Sequence, residues 1–125
     1  MNLELKQTSF NQERRVYTYA VIVGGQEVGR AQLRLLPSKS DTMPKGFESH
    51  IFYEIKDDER GKGYATAALA ELIKLAAEHK INPLILAVNA ENAASKRVIE
   101  KNGGKLQSTG RTADGKNVLK YFIST

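Results

Sequence analysis

The sequence predicts an α/β chain of the α+β type, a mixed and mostly antiparallel sheet with a central β-α-β crossover and helices packed on it. Three observations carry that expectation. Two strand-like runs meet at a glycine pair near the N-terminus, an aromatic and β-branched run is followed by an amphipathic helix and an apolar run, and the chain closes on two strands about an Asp-Gly turn. The order is β-β-β-β-α-β-α-β-β.

Each element has its own local reason. Leu3 to Phe10 reads as a first strand. Val16 to Val23 is rich in β-branched and aromatic residues, and from Val28 to Leu36 the apolar Ala31, Leu33 and Leu35 alternate with Arg30, Gln32 and Arg34. Gly24-Gly25 between them is a hairpin signal. Pro37 to Gly46 carries Pro, Ser, Asp and Gly and reads as a flexible loop. Ile51 to Lys56 is again strand-like and ends in the charged turn Asp57-Asp58-Glu59-Arg60. The period then changes: Ala65, Leu69, Leu72, Ile73 and Ala76 recur at helical spacing, with Glu71, Lys74 and Glu78 on the other side. That helix stops before Asn82-Pro83, and the continuous apolar run Leu84 to Val88 predicts a strand buried on both faces. Strand, helix and buried strand make a βαβ unit, whose two strands run parallel. A shorter helix spans about Asn92 to Asn102 and breaks at Gly103-Gly104, and two strands flank Asp114-Gly115.

Composition bounds the function. A chain of 125 residues accommodates one domain, 1-125, with 41% hydrophobic and 26% charged residues, near globular averages. No apolar run approaches the roughly 20 residues that cross a bilayer, and the first residues lack a signal-peptide layout, so a cytoplasmic protein without a membrane partner is the expectation. Cysteine is absent, which excludes disulfide scaffolds, thiol nucleophiles and cysteine-ligated zinc; His50 and His79 are the two imidazoles. The net charge of +5 favours an anionic partner, be it nucleic acid, an acidic surface or a phosphorylated cofactor, or simply a soluble surface. The lysines are spread along the chain and no RNA-binding aromatic signature is present, which argues against nucleic acid.

The most informative stretch is Arg60-Gly61-Lys62-Gly63-Tyr64-Ala65, which joins a strand end to a helix start. Glycines there let the backbone turn sharply and present bare N–H groups, and the first helical turn adds unpaired donors and a positive dipole end. Such a cradle fits a pyrophosphate; the alternative is a tight turn that merely needs glycine. A P-loop is excluded because Lys62 is followed by Gly63, and the dinucleotide fingerprint because Thr66-Ala67-Ala68 supplies no third glycine.

These residues resemble the GNAT superfamily of N-acetyltransferases, whose signature runs Arg or Gln, two residues, Gly, one residue, then Gly or Ala: Arg60, Gly63 and Ala65 match it. Asn92-Ala93-Ala94-Ser95, followed by Val98-Ile99-Glu100-Lys101-Asn102-Gly103-Gly104, is similar to the family's second element, a helix ending in Glu-Lys-x-Gly-Phe. The likeness covers Phe47 to Lys105 well and the flanking strands loosely. It implies the acyl-CoA N-acyltransferase fold, acetyl-CoA as co-substrate, no metal, and direct attack by a primary amine of a small molecule or peptide within a ternary complex. The pyrophosphate would rest on the amides of Gly61 to Ala65, with Arg60, Lys62 and Tyr64 beside it. The pantetheine arm would pass between splayed strands near Tyr53-Glu54 and Leu86 to Val88, within reach of Asn92 and Ser95. Arg60 and Lys62 read equally as solvated surface cations, and Asn92 as a helix cap.

The implied reaction needs a neutral amine, a stabilised oxyanion and an outlet for the thiolate. An alkylammonium has a pKa near 10.4, so a base is required. Glu54 is the first candidate, with Glu48 and His50 as alternatives because strand register decides which side chain faces the cleft; an outward-facing Glu54 is the competing reading. A backbone N–H of Tyr53 or Ile55 would hold the oxyanion. Two positions depart from the family pattern. Ile99 stands where many members have a tyrosine acid, leaving Ser95, Tyr64 or a water for that role, and Gly104 replaces an aromatic. Ile99 also motivates a rival reading, a catalytically inactive acyl-CoA-binding sensor or assembly domain. The stretch before the second strand lacks the two helices usual in the family, which implies an open acceptor site beside the loop 37–46, or one completed in a homodimer.

Overall fold

The computed structural model describes residues 1–125. Four strands, β1 (Leu3–Asn11), β2 (Val16–Val23), β3 (Gln26–Ser38) and β4 (Ser49–Ile55), form one antiparallel ladder in chain order. A 3-10 turn at Asp57–Glu59 leads into helix α1 (Tyr64–Glu78), which returns along the sheet to β5 (Leu84–Asn89). Helix α2 (Ala93–Lys101) follows, and then β6 (Lys105–Arg111) and β7 (Asn117–Ile123), which complete a second antiparallel ladder in the order β5-β7-β6.

The elements form for the reasons their sequences give. β2 occupies the expected span, with Gly24-Gly25 at its turn into β3. α1 buries Ala68, Leu69, Leu72 and Ala76, one stripe at helical spacing, against Tyr19, Val21, Ala31, Leu33 and Ile51 of the first ladder in a single core cluster. α2 joins that core through Ile99, and Asn102 Nδ2 donates to the carbonyls of Thr66 and Val98, 3.2 and 2.9 Å away, fixing α2 against the start of α1. Tyr121 donates its hydroxyl to Glu100 at 3.1 Å, tying α2 to β7. Both helices therefore lie on one face of the sheet.

Two sequence expectations need correction. β3 runs through Pro37 to Ser38, so the loop begins later; the proline lies within the register break between Leu33 and Ser38, where it forfeits no ladder hydrogen bond. In β5, Leu84 and Leu86 are buried whereas Ile85, Ala87 and Val88 are only half-buried, so this strand is covered fully on one face, because both helices pack there.

Between the two ladders, β4 and β5 lie side by side without backbone pairing. The join is made by a side chain instead: Nδ1 of His50 accepts a 2.9 Å hydrogen bond from the Ile85 amide near the start of both strands. His50 is 7% exposed, and burial lowers its pKa below the ordinary 6.5, so the folded chain holds a neutral imidazole. The unfolded chain takes up a proton near pH 6.5 that the folded chain refuses. This part of the stability is therefore complete above about pH 6.5 and is lost as the pH falls towards the folded-state pKa. Urea midpoints measured between about pH 8 and pH 5 are expected to decline on the acid side in the parent chain and to flatten in His50→Gln, where no titration intervenes.

Candidate active site

At the far end of β4 a cleft of about 470 Å³ lies between β4, the Arg60–Ala65 loop, the first turn of α1 and one face of α2. β4 contributes Tyr53, Glu54 and Ile55; the loop and α1 contribute Glu59, Arg60, Gly61, Gly63, Tyr64, Ala65 and Thr66; α2 contributes Asn92, Ala94, Ser95, Arg97, Val98 and Lys101.

The loop is shaped as a donor cradle. Gly61 and Gly63 hold φ at +79° and +81°, a left-handed conformation that L side chains rarely adopt, and this turns the chain directly into α1. Gly63 is the helix cap, no side chain caps the first turn, and no acidic residue stands in it. The first helical bond runs from Ala67 N to Gly63 O, so the amides of residues 61 to 66 have no internal partner. Unpaired donors at the positive end of a helix dipole, with Arg60, Arg97 and Lys101 around the same cleft, fit a pyrophosphate and its neighbouring phosphate. Arg60 is anchored as well as charged: its Nε donates to Ile55 O at 3.2 Å and its Nη2 meets Asp57 at 3.1 Å. Lys62 does not line the cleft; its ammonium is paired with Glu59 at 2.9 Å, so that position offers its backbone amide.

On β4 successive side chains alternate. Ile51, Tyr53 and Ile55 point to the helices, where the first and last are core; His50, Phe52 and Glu54 point to the opposite face. Glu54 reaches the cleft across the strand edge and also borders a second hollow on the opposite face, lined by Glu27, Gly29, Arg30 and Lys56 among others. Its carboxylate makes a loose ion pair with Arg30 at 3.9 Å, both side chains largely exposed. The other two base candidates are elsewhere. His50 is spent on Ile85, and Glu48 accepts from the Gly46 amide in the loop before β4, outside the cleft. That loop does not line the cleft either: its end, Phe47, is buried on the other side, against Gly110 of β6.

Asn92 accepts from Ser95 N at 3.1 Å, which is the cap reading, and the residue also lines the cleft. Ser95 and Tyr53 both line the cleft, and burial pushes the Tyr53 phenol's pKa up. Ile99 is 1% exposed and points into the core. Gly104 donates to Ile99 O at 2.9 Å, and a Cβ there would lie 2.3 Å from Ile99 Cγ2, which is why no aromatic can occupy it. Sequence reasoning missed Glu59, Thr66, Ala94, Arg97, Val98 and Lys101. The last four recur at i, i+3, i+4 and i+7, one face of α2, a signal readable from spacing.

The description "Acetyltransferase (GNAT) domain" matches residues 3–105. No curated protein matches the chain. Among solved structures, a ribosomal-protein-alanine N-acetyltransferase from Brucella melitensis is 25% identical, with a TM-score of 0.68 over 88% of this chain and 69% of that one. AAC(6')-Ib, solved with ribostamycin and coenzyme A, is 20% identical with a TM-score of 0.71, over 89% of this chain and 65% of that one. The Salmonella typhimurium acetyl transferase that modifies the N-terminal serine of ribosomal protein L7/L12 is 18% identical with a TM-score of 0.68, over 88% and 64%. The last two bear on the fold alone, and this chain spans about two thirds of the length of all three. With a matching profile over most of its length, and the glycine cradle and divided sheet on which it falls, the chain belongs to the GNAT family of acetyltransferases.

Proposed function

We propose that this domain is an acetyl-CoA-dependent N-acetyltransferase that passes the acetyl group directly to a primary amine in a ternary complex. One observation carries the reading: a cradle of unpaired amides at residues 61 to 66 opens into the cleft between β4 and α2, and Glu54 lines that cleft from β4. The cradle holds the pyrophosphate, Arg97 and Lys101 add charge to the phosphate end, and Tyr53 and Ile55 offer strand backbone to the acyl carbonyl. The amine approaches from the opposite face, where Glu54 takes its proton directly or through a water. Solved neighbours carry coenzyme A, one of them together with an aminoglycoside, and another acts on a protein N-terminus, so small-molecule and peptide amines are both acceptor classes for this chain.

Calorimetric titration tests the reading. Acetyl-CoA and desulfo-CoA are expected to bind the parent chain and ATP not to. Gly63→Asp is expected to weaken acetyl-CoA by at least about tenfold, since it strains a φ of +81° and sets a carboxylate where the phosphate belongs. Equal affinity in parent and variant, or no binding by the parent, would remove the cradle from the proposal.

A further inference from the structure

The hollow on the far face of β4, about 360 Å³ in volume, has no part in the phosphate cradle. Six of its eight lining residues are charged, three of each sign: Glu27, Glu54 and Asp57 against Arg30, Lys56 and Arg60. Glu54, Ile55 and Arg60 line this hollow and the cleft alike, so the two cavities meet at the end of β4. The charges are not equally free. Arg60 is spent on Asp57 at 3.1 Å and on the Ile55 carbonyl at 3.2 Å. Arg30 stands opposite Glu54 in the ladder, 3.9 Å from its carboxylate, with its guanidinium 5.2 Å over the Phe52 ring. Glu27 and Lys56 have no ion-pair partner. Two carboxylates and two cations are therefore left to meet a ligand. Glu54 and Lys56 are two residues apart in extended backbone, which sets them about 7 Å apart.

We infer that this hollow is the acceptor site and that it selects a compact zwitterion, an amine carrying a carboxylate about 7 Å from its nitrogen, with the nitrogen at Glu54 and the carboxylate held by Lys56 and Arg30. The inference rests on the acetyltransferase reading. A polycation would set its far ammonium against Lys56 and Arg30, and a simple anion would meet Glu27 and Glu54; a molecule with one charge of each sign opposes none of them. The ammonium loses one proton to Glu54, which passes it to solvent. The nitrogen lone pair then forms the C–N bond, the C–S bond breaks with its electron pair going to sulfur, and the second amine proton ends on the thiol. Acetylation removes the positive charge from the acceptor. The product is an anion beside two carboxylates, which favours its release.

The test follows thiol release from acetyl-CoA with three alkylamines of similar reach whose far ends are anionic, neutral and cationic: ε-aminocaproate, its amide and cadaverine. An aminoglycoside is the fourth acceptor. In the parent chain kcat/KM for ε-aminocaproate is expected to exceed that for the amide about fivefold, the upper end for an exposed ion pair, with cadaverine lower still. The spread should shrink in about 1 M salt, which screens exposed charges. Lys56→Glu is expected to reverse the order, placing cadaverine first, while the affinity for acetyl-CoA holds because Lys56 lines the hollow and not the cleft. Equal kcat/KM for the three alkylamines, or an order that Lys56→Glu leaves as it was, overturns the selection while the transferase reading stands. Turnover of the aminoglycoside with none of the three does the same. A parent chain that binds acetyl-CoA yet acetylates none of the four overturns the transferase reading and the acceptor site with it.

Discussion

Glu54→Gln is expected to lower kcat about 10³-fold near neutral pH while leaving KM for acetyl-CoA unchanged. The magnitude follows from the amine: with a pKa near 10.4, about one molecule in 10³ is already neutral at pH 7.4, and without a base only that fraction can attack. The binding constant should hold because the Glu54 side chain faces away from the glycine cradle, across β4. The residual rate of the variant has a signature. It should climb roughly tenfold per pH unit towards the pKa of the amine, whereas the parent is flatter over the same range. Glu48→Gln, on a carboxylate engaged with the Gly46 amide outside the cleft, should behave as the parent does. Steady-state rates of the three proteins over about pH 6 to 10 decide it. A Glu54→Gln enzyme with the parent's rate and pH profile would move the base to a solvent water and return Glu54 to an ordinary outward strand carboxylate.

Gly29→Ala is expected to be the most damaging single methyl in the chain, costing about 3 kcal/mol and about 10 °C of Tm. A Cβ at Gly29 would sit 2.2 Å from the Glu54 carbonyl oxygen and 3.0 Å from Ile55 Cα. Both are backbone atoms of the neighbouring strand, so nothing can swing aside and β3 must push β4 outwards. Gly110→Ala makes a fair comparison, since its Cβ would meet only the Phe47 ring, at 2.7 Å, and a ring can tilt. The order of the two losses, read from thermal unfolding, is the test. Because the displaced segment carries Tyr53 and Glu54, Gly29→Ala should also raise KM for acetyl-CoA in the fraction that folds. Equal melting points for Gly29→Ala and Gly110→Ala would mean that the close approach of β3 to β4 is set elsewhere.

Much of the fold was legible because its signals are local. The stripe Leu69, Leu72, Ala76 has one period and needed nothing but a sheet to lie on, and Gly61 with Gly63 between a strand and a helix admitted few conformations. Asn92 announced a cap and is one. The candidate base was harder to place. Glu48, His50 and Glu54 all lie within seven positions of one another, and the face each takes depends on where β4 begins, which is settled by its pairing with β3. Lys62 looked as useful as Arg60, yet the neighbouring Glu59 captured its ammonium while Ile55 O and Asp57 captured the guanidinium.

The sequence by itself therefore determined the order and kind of the elements, the glycine cradle and the family, since periodicity, turn chemistry and capping act over a few residues. Only the tertiary structure decided that β4 and β5 stay unpaired, with His50 standing in at Ile85 for a backbone carbonyl, that Tyr53 and Glu54 take opposite faces of β4, and that one face of α2 brings Ser95, Arg97 and Lys101 to the cleft. Those outcomes depend on burial and on contacts between residues far apart in the chain, which no local pattern encodes.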